Sequence, residues 1–187
     1  MIKFFISHRL EGEKIILLLR RHHFVILIKI IFWAIAAILP PIFYLILGST
    51  LAEFFSNELF LPVITLLTSV YYLYVWLFVF YSWVDYYLDA WIVTNQRIIN
   101  IEQKGLFDRV VSEQQLYRVQ DVTSELKGFF STILNYGTVH IQTAGEEQRF
   151  IFEQVPDPYN VAKKIAQLAE EHKKIHHQVM EKEKNKP

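Results

Sequence analysis

Histidine is the residue type whose spacing in this chain comes closest to a reactive arrangement. His172, His176 and His177 recur at helical intervals, and two histidines four residues apart on a helix can share one metal ion. His22 and His23 form a second group. Neither is completed: no His-Glu-x-x-His pattern supplies an acid-base glutamate, no third ligand follows at a fitting interval, and Lys173 and Lys174 put two cations beside the first group. These histidines therefore read as solvated or core-edge side chains, and no metal is expected. There is no Gly-x-Ser-x-Gly elbow and no phosphate-cradling glycine loop, and the lack of cysteine excludes thiol catalysis, disulfides and Cys-ligated metal centres. No catalytic residue, enzyme activity or cofactor is expected. With 19 basic and 19 acidic residues, no net field steers the protein toward nucleic acid.

The elements that must position any functional group begin with two apolar segments. Ile30–Ala52 runs 23 residues without a charge and Leu59–Val84 runs 26. A helix rises about 1.5 Å per residue, so about 20 apolar residues match a hydrocarbon core of about 30 Å. The sequence predicts a transmembrane helical hairpin within 24–84, its helices near 24–48 and 59–84. Aromatic residues thicken toward the end of the second span, through Trp76, Phe78, Phe80, Tyr81 and Trp83, as rings do at a headgroup layer. Pro40-Pro41 removes two backbone donors from the first span and predicts a kink or an early helix end.

Basic residues resist translocation and set the orientation. Lys3, Arg9, Lys14, Arg20 and Arg21 precede Phe24 and thirteen more follow Val84, whereas the loop from Gly48 to Glu58 holds Glu53 and Glu58 and no cation. Both termini are expected on the cytoplasmic side of the cell membrane, in a multi-pass arrangement, with residues 1–23 as a cytoplasmic N-terminal segment. A cleaved signal is not expected, because the first apolar run exceeds a signal core and the second returns the chain.

From Asp85 the pattern shifts to short β-branched and aromatic segments. Candidate strands are Tyr87–Val93, Arg97–Gln103, Leu106–Ser112, Arg118–Glu125, Thr138–Thr143 and Arg149–Gln154, with turns at Thr94-Asn95, Lys104-Gly105 and Ala144-Gly145. Period two is visible in Ile99 with Ile101, in Val119 with Asp121 against Gln120 with Val122, and in Val139 with Ile141. Phe129, Phe130, Ile133 and Leu134 recur at helical spacing and predict a short helical turn between strands. Pro156-Asp157-Pro158 stops the last strand and starts an amphipathic helix from Pro158 to about Lys182. About 70 residues of sheet closed by one helix suit a small barrel or split barrel.

The run Trp91-Ile92-Val93-Thr94-Asn95-Gln96-Arg97-Ile98-Ile99, followed by Gly105-Leu106-Phe107, Leu116–Val122, Tyr136-Gly137-Thr138-Val139 and Thr143-Ala144-Gly145, resembles the bacterial pleckstrin-homology (PH) family that follows a pair of membrane helices. The resemblance covers about Asp85 to Leu168. It implies a membrane α + β protein of the inner membrane, in which a two-helix transmembrane hairpin precedes a PH-like bent β-barrel of seven strands with a long C-terminal α-helix. The predicted PH-like domain is 85–169, followed by a charged helical tail, 170–187. One of the seven strands is unaccounted for among the candidates. Eukaryotic relatives of this fold often bind phosphoinositides through a basic loop between the first two strands. Here that loop is Asn95-Gln96 with Arg97 alone beside it, so this property is not expected to carry over.

Arg97, Arg109, Arg118 and Arg149 are candidates for contacting lipid headgroups or a partner's carboxylates. Interleaved Glu102, Asp108, Glu113, Asp121, Glu146 and Glu147 favour cross-strand ion pairs instead. Lys127 with Phe129 and Phe130 forms a candidate membrane-surface contact. Val161, Ile165, Leu168, His172, Ile175 and Val179 alternate by four and three, a pattern that suits an oligomer seam as well as a sheet cover. The expected function is a non-catalytic, membrane-anchored scaffold that binds a protein partner or copies of itself. The alternatives are an anionic-lipid sensor and a subunit of a small oligomeric channel or transport complex.

Overall fold

A computed structural model describes residues 10, 12–50, 52, 59–105, 107–143 and 150–184. Leu106, Ala144-Gly145, Arg149, Glu146, Glu147, Lys3, Arg9, Glu53 and Glu58 lie outside the described residues, as does the side chain of Val179. The elements run β1 (Ile15–Leu19), α1 (His23–Leu47), α2 (Phe60–Leu88), β2 (Ala90–Thr94), β3 (Arg97–Lys104), β4 (Asp108–Gln115), a 3-10 turn (Leu116–Arg118), β5 (Val119–Glu125), α3 (Phe129–Ile133), β6 (Tyr136–Thr143), β7 (Phe150–Pro156) and α4 (Pro158–Lys184). They form two compact units: a helical unit over His23–Tyr86, and a β unit built from Met1–His22 and Tyr87–Pro187.

In the helical unit, α1 and α2 are long and apolar enough to cross a membrane by length and composition, and their most apolar stretches are 0% and 6% buried. Helix α1 continues through Pro40 and Pro41. Proline at position i removes the N–H that would bond the carbonyl of residue i−4, so Pro40 orphans Ala36 O and Pro41 orphans Ala37 O. Tyr71 Oη donates to Ala36 O at 2.7 Å, and Tyr72 Oη donates to Ala37 O at 3.1 Å. Two phenols on α2 thus replace the two missing amides, and the expected early helix end does not occur. Thr65, Thr68 and Ser69 turn their hydroxyls onto carbonyls one turn back, at 2.8–2.9 Å. At the other end of the pair Lys29 Nζ meets Asp85 Oδ2 at 3.1 Å and His23 Nδ1 meets Tyr86 Oη at 2.6 Å. These contacts keep α2 helical beyond Val84, so strand β2 starts at Ala90 rather than at Tyr87.

In the β unit the missing seventh strand is β1, drawn from the segment before α1. It pairs antiparallel with β2, Leu18 opposite Ile92 and Leu19 opposite Trp91. The strands make two sheets, β1-β2-β3-β4 and β5-β6-β7. Both are open, which corrects the expected barrel closure. The 3-10 turn carries the chain from β4 to β5 without a ladder between them, and β1 approaches β7 through His22 N–H donating to Gln154 O at 2.7 Å.

The core lies between these sheets and α4. Trp91, Val93 and Ile98 come from the first sheet, Val119, Val139, Ile141, Phe152 and Val155 from the second, and Val161, Ala162, Ile165 and Ala169 from the helix. Strand β2 is buried on both faces, because Ile92 joins Ile99 and Ile101 in a second cluster on the opposite side. That is why β2 reads as a continuous apolar run and not as an alternation. The expected alternations of Ile99 with Ile101 and of Val139 with Ile141 hold. The one expected in β5 does not: the register shifts between Val119 and Asp121, which brings both Val119 and Val122 to the core. Gly137 is required where β6 passes β5, since a Cβ there would stand 2.3 Å from Glu125 O.

The helical unit yields a test. Tyr71→Phe and Tyr72→Phe should each destabilise the solubilised protein by about 0.6 kcal/mol, up to about 1.7, in thermal or SDS unfolding. Pro40→Ala restores the amide facing Ala36 O, so in that background Tyr71→Phe should lose most of its effect. An undiminished effect there would show that the phenol stabilises the pair in some other way.

Candidate functional site

The turn between β2 and β3 is bonded both within itself and to the segment before β1. Thr94 Oγ1 accepts from the backbone N–H of Gln96 at 3.2 Å and of Arg97 at 2.9 Å, and donates to Arg97 O at 2.9 Å. Asn95 reaches the segment before β1: its Oδ1 accepts from Lys14 N at 2.7 Å, and its Nδ2 donates to Gly12 O at 3.1 Å. Arg97 completes the clasp by forking onto Glu13, Nε to Oε1 at 2.9 Å and Nη2 to Oε2 at 3.0 Å, while Nη1 donates to Glu113. The Arg97 and Glu13 side chains are 9% and 1% exposed. Burial pushes the Glu13 carboxyl up, but donation from Arg97 and from the Leu10 amide outweighs it and holds the group below the usual carboxylate range. Its bond to Glu13 is also the main cause that raises Arg97.

A second set of contacts fastens the other end of β1. Arg20 lies over the Tyr87 ring at 5.0 Å, Arg21 pairs with Asp89 at 2.8 Å and Glu153 at 3.1 Å, and His22 stacks on Tyr136 at 5.0 Å. Asp89 also accepts from Gln103 N at 2.9 Å.

The expected contact residues separate accordingly. Arg97 is consumed by the clasp. Arg109 is exposed on β4 and Arg118 is half-buried in the 3-10 turn; neither is without a partner. Lys127 pairs with Glu125 at 2.8 Å, and Phe129 and Phe130 form an edge-to-face pair 5.7 Å apart that is 73% and 55% exposed. Among the seam residues, Val161 and Ile165 belong to the unit's own core and Leu168 packs against it. His172 and Ile175, further along α4, line a groove of about 340 Å³ with Asn95, Gln96, Gln115, Tyr117 and His176. His176 stacks on Tyr117 at 4.3 Å. Of the histidines at helical spacing, His176 is thus one ring of an aromatic stack and His172 lines the groove beside it, and among the described residues no three His, Cys, Asp or Glu side chains gather for a metal.

Two features escape the sequence reading. The groove joins residues of the β2–β3 turn to the distal half of α4, and no local signal connects them. Ser124 and Lys127 also have Ser-x-x-Lys spacing, but Lys127 turns to Glu125, and Ser124 sits on β5 opposite Val139.

The profile of the family described as "Bacterial PH domain" matches residues 23–169, from the start of α1 into α4. The chain belongs to the bacterial PH domain family. Two crystal structures show similarity over 43% of this chain. One is a DUF1696 family protein with a pleckstrin-homology domain from Shewanella loihica PV-4, at 19% identity, 70% of its own chain and a TM-score of 0.36. The other is a pleckstrin homology domain from Shewanella amazonensis SB2B, at 21% identity, 74% of its chain and a TM-score of 0.33. No curated protein matches. In this bacterial PH protein the clasp uses Thr94, Asn95 and Arg97 of the run that carries the sequence resemblance.

The clasp has a pH signature. A carboxyl depressed in the folded state contributes stability that is present above its unfolded value, about 4.3, and is lost as pH falls through the folded one. Thermal unfolding followed from pH 7 downward should lose stability in that acid range, and Glu13→Gln should remove that component. Arg97→Ala strands the buried carboxylate and should destabilise by about 3–5 kcal/mol. Glu113→Gln touches a half-exposed partner and should change stability by less than about 1 kcal/mol.

Proposed function

We propose that this bacterial PH protein is a non-catalytic interaction module held at the cytoplasmic face of the inner membrane by α1 and α2, with both termini on that face. The pairing of β1 with β2 carries this reading. The two strands flank the helical pair in sequence yet are neighbours in one sheet, so whatever the helices cross they cross an even number of times. The uncovered apolar surface of both helices suits hydrocarbon, and the tyrosines that cover the proline gaps suit a medium without water. PH domain families are generally non-catalytic, in keeping with a β unit whose most elaborate polar cluster is spent on its own N-terminal segment.

The binding surface is the groove at the distal half of α4, and its first occupant is a second copy of the chain. Ile175 is 55% exposed there, beyond the turns of α4 that seal the core. A second reading, membrane-surface contact, draws on Phe129, Phe130 and Ile133, which are exposed together on α3 next to Lys127.

The chain has no native cysteine, so single introduced thiols report topology cleanly. In intact cells a membrane-impermeant maleimide should label Asn57→Cys and should reach Gln167→Cys only after lysis; labelling of Gln167→Cys in intact cells would sink the orientation. Light scattering of the nanodisc-embedded chain should give a defined oligomer, and Ile175→Glu should reduce it to monomer. A wild-type monomer would overturn self-association. Salt-sensitive binding of that monomer to anionic vesicles, lost in Phe129→Ser, would then favour the lipid reading.

A further inference from the structure

The chain leaves the β unit at His22 and re-enters it at Tyr87. Both points lie at one end of that unit: Leu19 is opposite Trp91, Arg20 lies over Tyr87 and Arg21 meets Asp89. Two connections share this end. Strand β3 runs antiparallel to β2, draws level with Ala90 at Ile101, and continues to Lys104, which pairs with Asp108 across the hairpin turn into β4. Asp89 holds that hairpin by accepting from Gln103 N at 2.9 Å. In the second sheet β5 ends at Glu125, α3 follows, and β6 starts at Tyr136, whose ring stacks on His22 at 5.0 Å. The β3–β4 hairpin and α3 are therefore both fastened to the residues through which the chain passes to α1 and returns from α2.

Each connection carries bare apolar side chains. Phe107, in the hairpin turn, is 95% exposed, and Phe129, Phe130 and Ile133 of α3 are exposed together. The opposite end of β2 and β3 closes instead with the polar turn Thr94-Asn95-Gln96-Arg97. We infer that the β unit rests on the bilayer through two apolar tips, Phe107 of the hairpin and Phe129, Phe130 and Ile133 of α3, inserted at headgroup depth. The inference rests on the reading that α1 and α2 cross the membrane, and it deepens the surface contact considered for α3 by adding a second foothold on a separate element.

The reach is sufficient. From Val84, where the uncharged stretch ends, to Asp89 the chain advances five residues, about 7.5 Å of helix. The headgroup layer is about 5–7 Å deep on each side of the hydrocarbon. Asp89 thus stands near its outer edge, and Phe107 is four residues, at most about 14 Å of chain, from the Gln103 amide that Asp89 binds. The charges beside the tips cancel, Asp108 next to Arg109 and Lys127 paired with Glu125 at 2.8 Å, so apolar insertion supplies the attraction. Exposed apolar patches mark membrane or protein contacts, and two of them on separate elements at the end from which the spans emerge suit the plane of a bilayer. The α4 groove borders Asn95 and Gln96 at the opposite end and stays free for its own occupant.

The test uses the full-length chain in nanodiscs containing phosphatidylglycerol, with single nitroxide labels on introduced cysteines. Asp108→Cys and Thr132→Cys place the label beside the rings without replacing them, Ile35→Cys reports the α1 span, and Gln167→Cys reports a solvent-facing site on α4. Collisions with oxygen, which concentrates in lipid, are compared with those of a water-soluble nickel chelate. Labels at Asp108 and Thr132 should show an oxygen-to-nickel ratio severalfold above that at Gln167 and below that at Ile35. Phe107→Ser combined with Phe129→Ser, both at exposed positions, should return the two tips to the Gln167 value. A solvent-like ratio at either tip while the Ile35 label is oxygen-rich would overturn the inference alone. Low collision with both reagents at the tips would reveal a protein cover and overturn it as well. A solvent-like label at Ile35 would instead overturn the membrane reading beneath it.

Discussion

The pairing of β1 with β2 is the constraint on which the rest of this structure depends. Two adjacent strands of one sheet are separated in sequence by the entire helical pair, so β1 is closed onto its sheet across a long insertion. Loop-closure entropy opposes such a pairing, and five residues of backbone ladder offer little against it. The side chains explain how it holds. Glu13 and Lys14 are tied to the β2–β3 turn before the strand begins, and Arg20, Arg21 and His22 are tied to Tyr87, Asp89 and Tyr136 after it ends. Because the fork of Arg97 on Glu13 is buried, water competes weakly for either charge, and breaking it would leave a desolvated carboxylate.

This arrangement also explains which parts of the fold are legible in the sequence. The order of strands after Ala90, the short helix at Phe129 and the terminal helix from Pro158 follow from local periodicity and turn residues, and the structure has them. Strand β1 does not stand out, because Ile15–Leu19 is an unbroken apolar run close to a longer one and reads as its prelude. Bulges defeat the alternation in β5 and again in β7, where Gln154 at φ 54° lets both Phe152 and Val155 reach the core. Barrel closure, inferred from strand number and family likeness, fails at the 3-10 turn, a three-residue feature with no strong sequence signal.

The candidate contact residues divide for a related reason. A charge or an apolar side chain can be read from the sequence, but what covers it is decided by residues far away. Arg97 looked like a solvent-facing cation, and its main partner lies 84 positions earlier. Val161 and Ile165 continue the same stripe as Ile175, yet the sheets are wide enough to cover only the first turns of α4. The stripe therefore changes role along its length, from core cover to a surface that borders a groove.

The helical pair shows the same dependence on distant partners within a simpler geometry. A double proline inside an apolar helix ordinarily exposes two carbonyls, and in hydrocarbon those carbonyls have no water to turn to. Here the two prolines are consecutive, so the orphaned carbonyls are consecutive as well, and the two hydroxyls that meet them belong to consecutive tyrosines on the facing helix. The match fixes the register of α2 against α1 more tightly than apolar packing alone, because sliding by one residue would strand both carbonyls and both phenols together. Tyr71 and Tyr72, which precede the aromatics that thicken toward the end of α2, therefore serve as the donors that make the prolines tolerable.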